Sequence, residues 1–125
     1  MSENTFATTR HGVRMPRLLY GTAWKKSRTR ELVRQALECG FRGIDTAGQP
    51  KHYDEAGVGA GLADALAGGL ARPDLYVQTK FTPVDGHDPK QIPYDPTAPL
   101  AEQVGQSFRS SLRNLRTDYV DGLVL

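Results

Sequence analysis

The spacing of apolar residues changes repeatedly along this chain, and each change predicts a new element. Four short runs are rich in β-branched or aromatic residues and bounded by turn-forming residues, which is typical of strands. These runs are RLLYGTAW (17–24), FRGIDTA (41–47), DLYVQTKF (74–81) and YVDGLVL (119–125). Upstream of the first run, TTRHGVRMP alternates polar and apolar residues around Gly12, so a small hairpin is predicted there.

Between these runs, apolar residues recur at spacings of three and four, which predicts three helices. The helical segments are SRTRELVRQALECG (27–40), DEAGVGAGLADALAGG (54–69) and LAEQVGQSFRSSLRNLRTD (100–118). In the first, Ser27 is expected to cap the start and Gly40 to close the end. In the third, an apolar stripe is expected to face the core, made of Leu100, Val104, Phe108, Leu112 and Leu115.

The segment 82–99, TPVDGHDPKQIPYDPTAP, separates the third strand from the third helix and contains five prolines. Proline removes a backbone donor and fixes φ, so this segment is predicted to be an irregular loop. A loop of this length in a compact domain is usually either functional or disordered.

Strands that alternate with helices imply right-handed βαβ units and a parallel α/β sheet. Four strands and three helices in series fit either a doubly wound sheet or the first half of a (β/α)8 barrel. The 125 residues suit one domain or part of a larger one. We predict a single partial domain over residues 1–125, with residues 1–9 as a flexible tail.

Composition narrows the range of partners. Sixteen Lys and Arg against fourteen Asp and Glu give a formal charge of +2, which favours neither nucleic acid nor a membrane surface. No apolar run approaches the ~20 residues needed to cross a bilayer, and the polar start MSENTFATT lacks the apolar centre of a signal peptide. The lone Cys39 excludes an internal disulfide and favours a reducing compartment, so a cytoplasmic location is expected.

Candidate chemistry lies where the predicted strands end. Asp45 ends the second strand, Lys80 ends the third, and Tyr53 lies in the loop after the second. The carboxyl ends of parallel strands form the ligand-binding edge of α/β folds, so these three side chains are expected to meet. A lysine in a barrel wall needs a partner, which Asp45 can supply. A cation beside a tyrosine hydroxyl stabilises the phenolate, so Tyr53 could give a proton to a forming alkoxide.

The spacing alone leaves a second interpretation open. An aspartate at a strand end often caps the following turn, a lysine there is usually solvated, and a loop tyrosine usually serves packing. Under that interpretation Asp45, Lys80 and Tyr53 have no common role.

Five segments together carry a resemblance to a known family. MPRLLYGTAW, GFRGIDTA, KHYDEAGVG, LYVQTKF and LRTDYVDGLVL resemble, in that order, the opening half of the aldo-keto reductases. The resemblance implies a TIM-type (β/α)8 barrel that uses NADPH to reduce an aldehyde or ketone to an alcohol. It also implies that this chain holds about four strands and three helices of that barrel.

The resemblance further implies a role for each matching residue. Asp45, Tyr53 and Lys80 match three members of the family's catalytic tetrad, with Tyr53 as the proton donor. Thr22 and Asp45 match positions at the nicotinamide end of the cofactor site, and Trp24 matches a substrate-pocket position. A small-molecule carbonyl compound is the implied substrate.

Two features depart from the commonest family pattern. The Asp45–Tyr53 spacing is longer, in a QPKHY loop that resembles one branch of the family, and Asp54 stands where asparagine is usual. The tetrad histidine normally follows a run like DGLVL, so it is expected beyond Leu125, together with the remaining strands.

This last departure keeps other functions open. One is a redox-neutral acid–base enzyme, such as an isomerase, dehydratase or cyclase, that uses the same three residues. Another is an inactive remnant that acts through protein association. In either case the uncovered half-barrel is expected to form a homodimer or to bind a complementing chain, because an exposed apolar edge strand invites pairing.

Overall fold

The computed structural model describes residues 5–125, which begin with an antiparallel hairpin. Strand β1 (Phe6–Thr8) pairs with β2 (Arg14–Pro16), and Gly12 takes a positive φ of 84° in the turn between them. The predicted hairpin is therefore confirmed. Residues 6–8 of the predicted flexible tail pair with β2, and the Arg14 guanidinium lies 3.6 Å from the Phe6 ring centroid; the flexibility of the tail stays a prediction. Residues 1–4 of the predicted tail lie outside the described residues.

The hairpin is followed by alternating strands and helices, as the spacing of apolar residues predicted. In chain order they are β3 (Tyr20–Gly21), α1 (Thr29–Glu38), β4 (Gly43–Asp45), α2 (Glu55–Ala67), β5 (Tyr76–Lys80), α3 (Leu100–Leu115) and β6 (Gly122–Val124). The four later strands form one parallel sheet in the order β3-β4-β5-β6, so each strand lies beside its successor. This simple order is that of successive units of a barrel wall.

The core lies between the sheet and the helices. Ile44 pairs in register with Val77 across β4 and β5, and both are fully buried. Val33 of α1 and Val58 of α2 pack against them, and Leu115 joins from α3. Among the described residues no helix combines the length and the apolar content needed to cross a membrane.

Helix α1 ends as predicted but begins differently. A 3-10 turn over Lys26–Arg28 precedes it, and the N-cap residue is Arg28, whose side chain makes no capping bond. Ser27 is therefore not the cap; instead the hydroxyl of Thr29 donates to the Lys26 carbonyl at 2.7 Å. At the other end Gly40 takes a φ of 106° and its N–H donates to Leu37 O, as expected for a closing glycine.

The buried face of helix α3 shares only Leu115 with the predicted apolar stripe. Its buried residues are Gln103, Ser107, Ser111 and Leu115, while Leu100 is 64% exposed. The C-terminal end of α3 packs closely on α2, since a Cβ placed on Gly59 would meet the Asn114 carbonyl oxygen and the Leu115 Cα. On the same face Ser111 donates its hydroxyl to the buried carboxylate of Glu55, which accounts for a buried polar side chain there.

The proline-rich segment 82–99 is packed around one carbonyl group. The Thr82 carbonyl accepts hydrogen bonds from the Tyr94 hydroxyl at 2.7 Å and from His87 Nε2 at 2.9 Å. The Tyr94 ring also packs on Phe81, with centroids 5.4 Å apart. The loop therefore returns to the carboxyl end of β5, beside the candidate site.

Candidate active site

An ion pair joins the last residues of β4 and β5. Lys80 Nζ lies 2.7 Å from Asp45 Oδ2, and the two side chains are 29% and 20% exposed. The parallel register places both strands' carboxyl ends at one edge of the sheet, which is why residues 35 positions apart meet there. The pairing predicted from the sequence is confirmed.

Two further groups fix this pair. Gln78 Nε2 donates to Asp45 Oδ1 at 3.0 Å, and Lys80 Nζ donates to the Thr46 carbonyl at 3.2 Å. The sequence interpretation missed Gln78, although its position two residues before Lys80 places it on the same face of the strand. An ammonium has three donors, and these contacts use two of them. One donor remains for Tyr53 or a ligand.

Tyr53 lies beside the ion pair, on the loop that leads into α2. Its ring centroid is 5.2 Å from Lys80 Nζ, so the recorded contact is between the ammonium and the ring face. The next residue, Asp54, is the N-cap of α2: its Oδ1 accepts from the Gly57 N–H at 3.0 Å. An aspartate at this position therefore anchors the helix that follows the tyrosine.

Thr22 lies behind the ion pair, after β3. It is fully buried, and both its N–H and its hydroxyl donate to the Asp45 carbonyl, at 3.1 and 2.9 Å. These bonds extend the β3–β4 pairing and hold the backbone of Asp45 in place. The cofactor contact expected of Thr22 stays a prediction.

Trp24 lies at the outer rim and is 66% exposed. Its φ of 63° is in the left-handed region, which is uncommon for a bulky residue. The indole stacks on His52 with centroids 4.1 Å apart, and the Trp24 N–H donates to the His52 carbonyl at 2.8 Å. Trp24, His52 and Tyr53 line one shallow cavity of about 80 Å³, so the rim reaches the tyrosine.

Glu55 is a second residue that the sequence interpretation missed. Its carboxylate is buried, and it accepts hydrogen bonds from Thr79 Oγ1 at 2.6 Å and from Ser111 Oγ at 2.8 Å. Burial raises the pKa of Glu55, partly offset by these hydrogen bonds. Its partners lie far away in sequence, so no local pattern could have revealed it.

Together these contacts place a phenol, an ammonium and a carboxylate at one edge of a parallel sheet. The family model described as the aldo/keto reductase family matches residues 17–125, which is most of the chain. The chain belongs to the aldo/keto reductase family. Its resemblance to that family in sequence is thereby confirmed.

Individual relatives agree with this assignment. Deoxymugineic acid synthase 1 of Hordeum vulgare is 34% identical over 113 residues, covering 86% of this chain and 31% of the relative. NADPH-dependent codeinone reductase 1-3 of Papaver somniferum is 34% identical over 116 residues, covering 88% of this chain and 32% of the relative. The chain thus spans about a third of the length of these curated relatives.

A solved structure confirms the fold. An aldo-keto reductase of Bombyx mori, crystallised with NADP, superposes with a TM-score of 0.74 at 28% identity. The superposition covers 94% of this chain and 36% of that structure. The prediction that these elements are the successive β/α units of an aldo-keto reductase barrel is confirmed, whereas the roles of Asp45, Tyr53, Lys80, Thr22 and Trp24 stay predictions.

Proposed function

We propose that this chain carries the proton-donating edge of an NADPH-dependent oxidoreductase that reduces an aldehyde or ketone to an alcohol. One observation carries the proposal: the 2.7 Å Lys80–Asp45 pair lies beside the Tyr53 ring at the ligand-binding edge of the sheet. Membership of the aldo/keto reductase family supports it, as does the NADPH named for the Papaver somniferum relative.

The residues at this edge fit the reacting end of a nicotinamide. Within the described residues Lys80 donates two hydrogen bonds, to Asp45 and to the Thr46 carbonyl, so its ammonium keeps a third donor for a ligand group. Asp45 and Lys80 would hold that end of the cofactor, Thr22 would keep the Asp45 backbone in place from behind, and NADPH would supply the hydride.

Tyr53 has the chemistry of the proton donor. As the carbonyl carbon is reduced, its oxygen gains negative charge, and a phenol at this edge can protonate it. The nearby ammonium of Lys80 stabilises the phenolate that remains, because opposite charges attract more strongly in a partly desolvated site. Asp45 in turn holds Lys80 in position through the 2.7 Å pair.

The rim of the site supplies a surface for the substrate. The exposed Trp24 indole packs at a tilt of 36° against His52 beside Tyr53, and both line the cavity of about 80 Å³ together with Lys26, Lys51 and Asp54. A small carbonyl compound would pack against the indole with its oxygen toward the phenol. Substrate binding by Trp24 is part of the proposal.

A covering partner is also part of the proposal. At the end of the sheet Leu123 and Val124 are each 41% exposed and Leu125 is 82% exposed. Apolar residues on an outer strand favour pairing with another strand. We infer that a second copy or a complementing chain covers this edge, and we expect a reducing, cytoplasmic setting because the lone thiol, Cys39, is exposed.

The proposed activity is tested by mixing the chain with NADPH and a panel of aldehydes and ketones. NADPH oxidation should occur with formation of the matching alcohol in equal amount, measured by absorbance and mass spectrometry. Alcohol formation without NADPH consumption, or NADPH binding without any turnover across the panel, would contradict the proposal. Conversion of a carbonyl compound to its isomer would instead favour the redox-neutral alternative.

The covering partner is tested separately by size-exclusion chromatography with light scattering at micromolar concentration. A dimer is expected, and Leu123→Lys should shift it toward the monomer because a charge on an outer strand opposes pairing. Leu66→Lys is the matched control, since Leu66 is a 36% exposed residue of α2. A stable monomer at all concentrations would disprove self-association.

A further inference from the structure

A buried carboxylate links the two chain segments that carry Tyr53 and Lys80. Glu55 is the first residue of α2, and its residue exposure is only 7%. Its Oε2 accepts from Thr79 of β5, and its Oε1 accepts from Ser111 of α3. One side chain thus joins the start of one helix to a strand and to a second helix.

The positions of Glu55 and Thr79 along the chain place each of them close to a residue of the proposed site. Glu55 follows Tyr53 by two residues, and Thr79 directly precedes Lys80. The 2.6 Å bond between Glu55 and Thr79 therefore ties the segment that carries the tyrosine to the strand that carries the lysine. Asp54 strengthens the tie, because its cap bond to Gly57 fixes the same helical turn.

We propose that Glu55 is a positioning residue that holds the Tyr53 ring over Lys80 through its hydrogen bond to Thr79. This inference rests on the proposed function, since positioning matters only where the tyrosine and lysine act together. Glu55 touches neither reacting group. Its effect passes through the backbone of residues 53–55 and 79–80.

A purely structural role for Glu55 makes a different prediction. In that case the carboxylate would serve only to satisfy two buried hydroxyls and to hold α3 against α2. The two partners allow the roles to be separated, because Thr79 and Ser111 are each 1% exposed and bond opposite oxygens. Of these two bonds, the one from Thr79 connects Glu55 to the strand that carries Lys80.

The experiment measures the contact between Tyr53 and Lys80 directly by NMR on the ligand-free chain. The ε-methylene protons of Lys80 should show an upfield ring-current shift, because the ammonium lies over the Tyr53 ring at 5.2 Å. The Tyr53→Leu variant lacks the aromatic ring, so it gives the Lys80 chemical shift in the absence of a ring current. Thr79→Val and Ser111→Ala are the matched pair, since each removes one buried hydroxyl donor to Glu55.

The proposal predicts that Thr79→Val loses most of the ring-current shift while Ser111→Ala keeps most of it. Thr79→Ser, which restores the hydroxyl, should restore the shift. Loss in both variants, retention in both, or loss in Ser111→Ala alone would overturn the proposal. If a valine methyl cannot be accommodated against the carboxylate and the variant does not fold, Thr79→Ala gives the same comparison with a smaller side chain.

A second pair of variants acts at Glu55 itself. Glu55→Gln keeps the length of the side chain and two polar atoms at its end. Its amide can accept from one hydroxyl and donate to the other, so it should keep the shift, whereas Glu55→Ala should lose it. A native shift in Glu55→Ala, or its absence in Glu55→Gln, would overturn the proposal.

Turnover gives an independent reading where the NADPH assay shows activity. Thr79→Val should lower kcat by about 10-fold to 100-fold, as expected for misplacement of a reacting group, and leave KM nearly unchanged. A rise in KM at unchanged kcat would overturn the proposal. The NMR comparison needs neither cofactor nor substrate. If the chain shows no turnover, the proposed function is refuted, but the NMR comparison still tests the positioning role of Glu55.

Discussion

The two ends of the sheet each carry an ion pair, and the pairs differ in how fully their charges are satisfied. At the amino end Arg72 donates to Asp121, to Thr117 Oγ1 and to the carbonyls of Leu75 and Tyr119, at 2.8–3.1 Å. Its guanidinium also lies 4.0 Å from the Tyr119 ring centroid. At the carboxyl end, among residues 5–125, Lys80 donates to Asp45 and to the Thr46 carbonyl.

Under the proposed function, this difference separates a pair that serves stability from a pair that serves chemistry. The Arg72 pair holds β6 on β5, because Asp121 also accepts the Val77 N–H at 2.8 Å. The Lys80 pair lies at the edge where ligands bind in such folds, and its ammonium keeps a third donor beyond the two hydrogen bonds it makes among the described residues. We therefore expect the Arg72 pair to matter most for folding and the Lys80 pair to matter most for turnover.

Arg72→Ala is expected to have the largest effect on stability. It leaves Asp121 without its cation in a site where both side chains are only 16% exposed, and breaking a buried pair in this way costs about 3–5 kcal/mol. Denaturant unfolding should show this loss, with kcat unchanged in the fraction that remains folded. Arg113→Ala, at an exposed arginine of α3, should change the free energy of unfolding by less than about 0.5 kcal/mol.

Lys80→Met should have the opposite effect, with a large loss of turnover and a small loss of stability. Removing a preorganised charged group from a reacting site typically lowers kcat by about 10²–10³-fold. Asp45 keeps its hydrogen bond from Gln78, and its ion pair is more exposed than that of Asp121, so the free energy of unfolding should fall by less than in Arg72→Ala. If Lys80→Met unfolds the protein as readily as Arg72→Ala does, the two ends do not differ in the way described.

A change of pH is expected to have a smaller effect on stability, through the loop that packs beside the carboxyl end of the sheet. Burial lowers the pKa of His87 below its usual 6.5, and its buried Nδ1 has no hydrogen-bond partner in the part of the chain that the structure describes. The folded state therefore favours neutral His87, so its stabilising contribution is present above pH 6.5 and is lost as pH falls toward the lowered pKa. Unfolding measured over this range should show a weaker pH dependence in His87→Gln than in the native chain.

The matched control for this effect is His11→Gln, because His11 is exposed in the N-terminal hairpin. It should keep the native pH dependence. If the free energy of unfolding depends on pH equally in the native chain and in His87→Gln, His87 does not contribute to the pH dependence. The expected effect of pH on the loop at the carboxyl end would then be contradicted.

Glu55 contributes a pH dependence of opposite sign. Its pKa is raised above 4.5 by burial, so its favourable contribution is present below that value and is lost as pH rises through the raised pKa. Glu55→Gln should flatten the fall in unfolding free energy over this window. An unchanged slope would mean that the carboxyl does not titrate differently in the folded state.

The order of strands and helices could be predicted from the sequence because apolar spacing is a local signal. The Asp45–Lys80 pair could also be predicted, since a parallel sheet brings strand ends to one edge. The buried face of α3 could not, because it depends on contacts with residues distant in sequence, such as the hydrogen bond from Ser111 to Glu55. Glu55 was missed for the same reason: its partners, Thr79 and Ser111, lie 24 and 56 residues away.

The central claim is that Tyr53 is the proton donor at the carboxyl end of the sheet. The most direct test compares NADPH-dependent carbonyl reduction by Tyr53→Phe and by Tyr119→Phe, which alters a 43% exposed tyrosine at the amino end. We predict that Tyr53→Phe lowers kcat by about 10²–10⁴-fold and that Tyr119→Phe leaves it unchanged. Equal turnover by the two variants would contradict the claim.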